Sequence, residues 1–289
     1  MKRIAISAES TIDLSKDLLK QYDIHTVPFT INLGDEVALD GDIDPKHIIN
    51  YVNKKNILPK TSAVNEYQYT EHFEKLLKEY DAVIHIALSS EISSAFSNAY
   101  NVSQNYDNVY VVNSRSLSTG IALQAIYATK LVAAGLEPEE IVRKIELRKA
   151  ADQTSFILMR LDYLYKGGRC NALSLISATL LKIRLQIVVK NGKMEPAKKY
   201  RGDMSKCIIK YVNDTLEQYN TPDLEEVFIT STTATKDQIE AVKEILVKRG
   251  FKNIHITNAG ATITSHCGEN CLGILYMNDG DSNGVYQEN

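Results

Sequence analysis

The sequence predicts an α/β protein built in two parts, and three observations carry that prediction. Short apolar runs alternate with amphipathic stretches over residues 1–150, the pattern of an N-terminal parallel sheet covered by helices on both faces. Residues 151–289 are more irregular, with a hairpin signature among further strands and helices, which suits a C-terminal α/β domain with a mixed sheet. At 289 residues the chain has room for about two domains, on a prior of ~150 residues each.

Residues 2–7 alternate as a first strand, and Ser15 caps a short helix to Tyr22. Residues 25–31 read as a second strand, turned through Asn32, Leu33, Gly34 and Asp35 into a partner at 36–39. The acidic run 40–45 fails as a calcium loop, because Pro45 stands where glycine is needed and Tyr51 where the bidentate glutamate belongs. Asp44 is instead an N-cap, with Pro45 in the first turn. Residues 60–65 open a helix running to about Tyr80, which puts Thr61 and Ser62 where free N–H groups and hydroxyls favour an anion. Plain capping explains the same two residues equally well.

Residues 82–88 form an apolar strand suited to the centre of a parallel sheet. A hydroxyl-rich turn with Ser89, Ser90, Ser93 and Ser94 follows it, and ligands of open α/β sheets bind beyond such strand ends. A strand at 109–113, an apolar helix through Leu131 and a helix from Pro138 to about Lys149 complete the first part.

In the second part, a strand at 155–159 leads to Gly167, Gly168 and Arg169, then to the uncharged helix 170–181, then to Lys182 and Arg184. An apolar segment between cations suits a ligand that is apolar at one end and anionic at the other. The same motif also serves as an ordinary helix stop with a surface arginine. Asn191-Gly192 turns a hairpin. Helices at 203–219 and 235–249 and strands at 227–231, 254–257 and 272–277 follow, with His266 in the loop that approaches the last strand.

Composition narrows the function. Hydrophobic content of 44% and charged content of 24% are those of a soluble globular protein. A net charge of −3 gives no general reason to expect nucleic acid. The apolar start is too short for a signal peptide, and no segment approaches the ~20 apolar residues of a membrane span, so a cytoplasmic location is expected. Cys170, Cys207, Cys267 and Cys271 do not make a disulfide framework. His266, Cys267 and Cys271 invite a zinc reading, but no second closely spaced pair completes four ligands. Neither a metal nor a cofactor is expected.

Thr61-Ser62, Ser89-Ser90-x-Ile92-Ser93, the stretch from Leu161 to Arg169, Arg201 and His266-x-Gly268 occur in one order over nearly the whole chain. In this the sequence resembles the DegV family of bacterial fatty-acid-binding proteins. The resemblance implies two α/β domains with a single long-chain fatty acid between them and no catalytic residues. It also implies, for some members, presentation of that fatty acid to a separate ATP-dependent fatty acid kinase, giving acyl phosphate for phospholipid synthesis. Thr61, Ser93 and His266 match the family's polar cluster around the carboxylate, Ser62 and Ser94 beside them are expected to bind the carboxylate as well, and Gly167, Gly168 and Arg169 match its Gly-Gly-Arg motif. The chain departs from the family at Ala63-Val64 (commonly Gln-Pro), Ser94-Ala95 (commonly Gly-Thr), Asn113 (an aspartate) and Cys267-Gly268-Glu269-Asn270 (Thr-Gly-Pro-Gly).

The residue types suit that chemistry. A buried carboxylate must find donors, and two hydroxyls and an imidazole supply them at ~1.5–3 kcal/mol per bond to a charged group. Each buried CH₂ adds ~0.8 kcal/mol, so an apolar tunnel with a small polar end is expected. Between 182 and 210 the basic residues, Lys198, Lys199 and Arg201 among them, far outnumber Glu195 and Asp203. That stretch is either a solvated face or a surface that steers a kinase partner. The uncharged helix, with cations at both ends, would allow transient contact with a membrane surface. A serine hydrolase or acyltransferase using Ser93 and His266 is the rival reading, against which stands the lack of a Gly-x-Ser-x-Gly elbow. No Walker motif or Gly-x-Gly-x-x-Gly follows any strand.

Overall fold

A computed structural model describes residues 2–170 and 183–280. The uncharged helix expected at 170–181 and Lys182 therefore lie, but for Cys170, outside the described residues. Strands β1 (Ile4–Glu9), β2 (Ile24–Val27), β6 (Ala82–Ala87) and β7 (Val109–Asn113) form a parallel sheet in the order β2-β1-β6-β7. Every residue of β1 and β6 is buried, as a sheet covered on both faces requires. Alternation along β1 turns Ser7 and Glu9 toward helix α3 (Glu66–Leu77), where His72 Nε2 lies 2.6 Å from Ser7 Oγ and the Tyr69 hydroxyl donates to Glu9. Ile6 and Ala8 turn the other way, toward α5 (Thr119–Ala133).

Two local expectations are corrected here. The single strand at 25–31 is broken at Pro28, which lacks the N–H a ladder needs. The chain leaves the parallel sheet and enters a small antiparallel one, in which β3 (Thr30–Leu33) lies between β4 (Glu36–Leu39) and β5 (Lys60–Ser62). Thr61 and Ser62 therefore sit on a strand rather than at a helix start. Helix α3 begins four residues later behind Asn65, whose side chain accepts from Gln68 N while the Gln68 side chain accepts from Asn65 N.

A six-stranded mixed sheet comprises β8 (Asp152–Leu158), β9 (Ile183–Lys190), β10 (Lys193–Arg201), β11 (Glu226–Ser231), β12 (Asn253–Asn258) and β13 (Leu272–Met277), ordered β10-β9-β8-β13-β11-β12. Only β11 and β12 run parallel. Helices α8 (Met204–Gln218) and α9 (Lys236–Arg249) cover one face. On the other lies α5, which also packs on β1 and β6 and so fills the space between the two large sheets. That position explains its sequence, since a helix apolar all round is buried on more than one side.

A third correction concerns residues 259–268. They form a helix, α10 (Ala261–Cys267), and not an extended approach to β13. The motif around Gly167 ends another short helix, α7 (Asp162–Lys166), with Gly167 as its C-cap.

Candidate functional site

The small sheet, the turn after β6 and helix α10 converge on one cavity. In β5 the side chains alternate, so Thr61 points inward and Ser62 outward. Thr61 Oγ1 lies 2.9 Å from His266 Nε2 across 205 residues of sequence. Ser62 is exposed, accepts a long 3.4 Å bond from Asn32 Nδ2, and does not reach the cavity.

His266 is the most perturbed group at this end. Burial, with a smaller contribution from the positive charge of Arg169, pushes its pKa down to about 4. The ring is neutral at neutral pH. Its Nδ1 is buried without a hydrogen-bond partner and abuts Gly167, where a Cβ would come within 2.6 Å. Glycine at 167 thus allows the backbone to lie against the imidazole. Arg169 extends along the rim, its Nη1 donating to Gly167 O at 2.6 Å, while Gly168 faces open space at φ +70°.

Ser93 comes from the turn between β6 and α4 (Ala95–Ser103). Both Ile92 N and Ser93 N donate to Ser89 O, and Ser93 Oγ accepts from Ala95 N at 3.2 Å. Ser94 occupies the N-cap position, exposed and making no capping bond with its side chain. Ser89 Oγ donates to Gly192 O at 2.8 Å, docking the β9–β10 hairpin on this turn and bringing Met194 over the cavity.

The cavity measures about 290 Å³. Its polar groups are Thr61, Ser93, Ser94, Arg169 and His266, and its walls include Phe29, Leu88, Leu117, Phe156, Leu164 and Ile263. A narrower chamber of about 30 Å³ shares Leu117, Phe156, Ile263 and Cys267 with it and is lined further by Gly273 and Leu275 and by Ser118, Ser155, Thr230, Ser231 and Thr232. Sequence reasoning missed Thr262, which also lines the main cavity and whose buried Oγ1 has no partner. It lies one helical turn before His266 on the same face of α10, a relation visible only once 261–267 is read as a helix.

The geometry bears on the hydrolase reading. His266 meets Thr61 rather than Ser93, and no carboxylate stands on its Nδ1. A Ser–His–Glu chain does exist elsewhere, with Ser7 Oγ 3.0 Å from His85 Nδ1 and His85 Nε2 3.1 Å from Glu9 Oε1. All three residues are 0% exposed and closed to any substrate. Burial pushes the Glu9 carboxyl up, but His85, the Tyr69 hydroxyl and Leu88 N–H outweigh it and hold it below the ordinary carboxylate range. The bond from Leu88 N to Glu9 Oε2, 2.9 Å, ties the end of β6 to β1 and steadies the turn that carries Ser93.

The basic stretch lies apart from the cavity. Lys198 pairs with Asp214 at 2.7 Å, and Lys199 and Arg201 are exposed on the edge strand β10. Among the described residues no group of three or more His, Cys, Asp and Glu side chains is placed to hold a metal, and no helix is long and apolar enough to cross a membrane. Cys267 and Cys271 are free and buried.

Fold and site together define an α/β protein of two large sheets with a cavity lined by apolar side chains together with hydroxyls, an imidazole and a guanidinium. A family model described as "uncharacterised protein, DegV family" matches residues 3–279. The chain belongs to the DegV family. It is 29% identical over 282 residues to a protein of Thermotoga maritima named fatty acid-binding protein, covering 94% of this chain and 96% of that one. The crystal structure of DegV, a fatty acid binding protein from Bacillus subtilis, superposes with a TM-score of 0.82 at 28% identity, covering 96% and 99% of the two chains. A DegV family protein of Thermus thermophilus superposes with a TM-score of 0.88 at 23% identity, covering 95% and 99%, and shares the fold.

Proposed function

We propose that this protein binds a single long-chain fatty acid between an N-terminal domain (1–150) and a C-terminal domain (151–289), and is not itself an enzyme. Its carboxylate would be held by Thr61, Ser93 and His266. The observation that carries this reading is the Thr61–His266 contact in the wall of a cavity that also offers Ser93, Ser94, Arg169 and Thr262 among its apolar side chains. Neutral donors suit the ligand. A carboxylate that breaks into the Thr61–His266 contact would accept from the hydroxyls and the ring N–H, each bond contributing about 1.5–3 kcal/mol, while the walls take the acyl chain. The names of the Thermotoga and Bacillus relatives support the same ligand class.

A separate ATP-dependent fatty acid kinase is the proposed recipient, with Lys199 and Arg201 free to steer it and Lys198 already engaged by Asp214. Ligand exchange at a membrane surface and a cytoplasmic location complete the reading.

Denaturing extraction of the purified protein followed by mass spectrometry tests it. A stoichiometric free fatty acid is expected, and His266→Ala or Ser93→Ala should weaken palmitate binding by about tenfold or more, the cost of one bond to a charged group, without unfolding the chain. Unchanged affinity in both variants rejects the assignment. Ester hydrolysis abolished by Ser93→Ala would establish the enzyme instead. Charge reversal at Lys199 and Arg201 should slow acyl phosphate formation by the kinase without altering palmitate affinity. Indifference to that change removes the steering role.

A further inference from the structure

We propose that Asp13 and Asp40 are positioning residues for His266, a pair of buried carboxyl groups that fix the start of α10 and thereby the imidazole one and a half turns on. The inference rests on His266 being a ligand of the fatty carboxylate. Asp13 follows β1 and its short 3₁₀ turn, and Asp40 follows β4, so both belong to the part of the chain that supplies Thr61 and Ser93. Gly260 N donates to Asp13 Oδ1 at 2.8 Å, and Ala261 N donates to Asp40 Oδ1 at 2.8 Å. The second oxygens are held as well. Ser118 Oγ lies 2.5 Å from Asp13 Oδ2, and Ser10 Oγ donates to Asp40 Oδ2 at 3.0 Å while accepting from Phe29 N. The two aspartates are 4% and 7% exposed.

Every helix start needs acceptors for its first N–H groups, and a neighbouring side chain or water would satisfy them. Here the acceptors come from 247 and 221 residues away. Gly260 provides no side-chain cap of its own. The start of α10 is thereby referenced to β1, β4 and α5 rather than to the strands that flank it in sequence. There is little slack, since a Cβ on Gly260 would lie 3.1 Å from an oxygen of each aspartate. The consequence at the far end of the helix is that Nε2 of His266 arrives 2.9 Å from Thr61 Oγ1. Burial, with a smaller push from Asp40, raises the Asp13 carboxyl to about 8 against the bonds from Ser118 and Gly260. Asparagine at 13 is therefore a close mimic of the form present near neutral pH.

A double-mutant cycle with palmitate as the probe tests the proposal. Asp40→Ala and Asp13→Ala should each weaken binding by about tenfold in the native background. They should cost clearly less when His266→Ala is already present, because the part that acts through the ring is then gone and only what Thr262 and Ile263 of the same helix add to the wall remains. Asp40→Asn and Asp13→Asn keep an oxygen for the helix N–H and should restore most of the affinity. Losses that add independently overturn the positioning role and leave an ordinary helix cap. If the alanine variants do not fold, Gly260→Ala takes their place in the cycle, since it crowds both carboxyls while removing no hydrogen-bonding group. The ¹⁵N resonances of the His266 ring separate the two layers of the argument. Resonances moved by the alanine or crowding variants, together with unchanged affinity in His266→Ala, would reject the carboxylate reading and keep the positioning. Resonances that stay fixed reject the positioning.

Discussion

At the scale of single residues, the site turns on a neutral imidazole. With burial pushing its pKa down to about 4, His266 binds fewer protons than the same residue in an unfolded chain, whose ordinary value is 6.5. Stability of the ligand-free protein therefore falls as pH is lowered through that window, because the unfolded state takes up the proton first. A carboxylate beside the ring acts in the opposite sense, favouring the imidazolium and raising the pKa of the complex. Binding then takes up protons, and palmitate affinity should strengthen as pH falls from the raised pKa of the complex toward about 4, where the ring titrates without ligand. His266→Gln should remove the part of the slope that belongs to the ring. Titration calorimetry in two buffers of different ionisation enthalpy measures the proton uptake directly, and equal uptake in native and variant protein would refute the linkage. Thr61, Ser93 and His266 stood out as a set through the family resemblance, and the structure brings all three to the lining of one cavity, although Thr61 reaches it from a strand and not from the helix start expected for it. Ser62 was not separable from Thr61, since one points away from the other only if 60–62 is a strand. Thr262 gave no signal at all, because a threonine beside isoleucine carries no mark of the cavity it lines.

At the scale of elements, the parts the sequence concealed are the short ones. Strand β5 has three residues, too few for alternation to register, and its partner β3 lies about thirty positions earlier in the chain. Helix α10 is rich in threonine and serine, residues with weak helix preference, and its first N–H groups are satisfied by aspartates that lie far away in sequence. Tertiary contacts, not local preference, make it a helix. Its far end depends on Gly268, which sits at φ 70° and ψ −163°, a region closed to side chains, with the Tyr163 ring 2.7 Å from where a Cβ would stand. Gly268→Ala should cost on the order of 3 kcal/mol. Gly168→Ala, at a similar φ but with nothing within 4 Å, should cost closer to about 1 kcal/mol. Equilibrium denaturation measures both, and equal costs would mean that the Tyr163 contact contributes nothing.

At the scale of the molecule, the long periodic elements and the division of strands were readable, and the way the two sheets join was not. Every strand of the parallel sheet precedes residue 150 and every strand of the mixed sheet follows it. A boundary there therefore separates sheets. It does not separate cores, because α5 comes from the first part and packs on β8, β11 and β13 of the second as well as on its own sheet. The contact is polar as well as apolar. Thr119 Oγ1 lies 2.6 Å from Thr230 Oγ1, Ser116 Oγ lies 3.0 Å from Thr154 Oγ1, and Gln124 Nε2 donates to Asp152 Oδ2 at 3.1 Å. Cutting the chain at residue 150 would strip one face of α5 and leave these buried groups unpaired, each at about 1–3 kcal/mol, against a total stability of only about 5–15 kcal/mol for a typical domain. The fragments 1–150 and 151–289 should therefore each lack a cooperative melt and near-ultraviolet circular dichroism, and mixing them should recover both signals. The intact chain should unfold in one transition that moves to higher temperature when palmitate is bound, since the cavity draws walls from both parts of the chain. Two resolved transitions in the intact chain, or a sharp melt from fragment 1–150 alone, would show that α5 belongs energetically to the first sheet only.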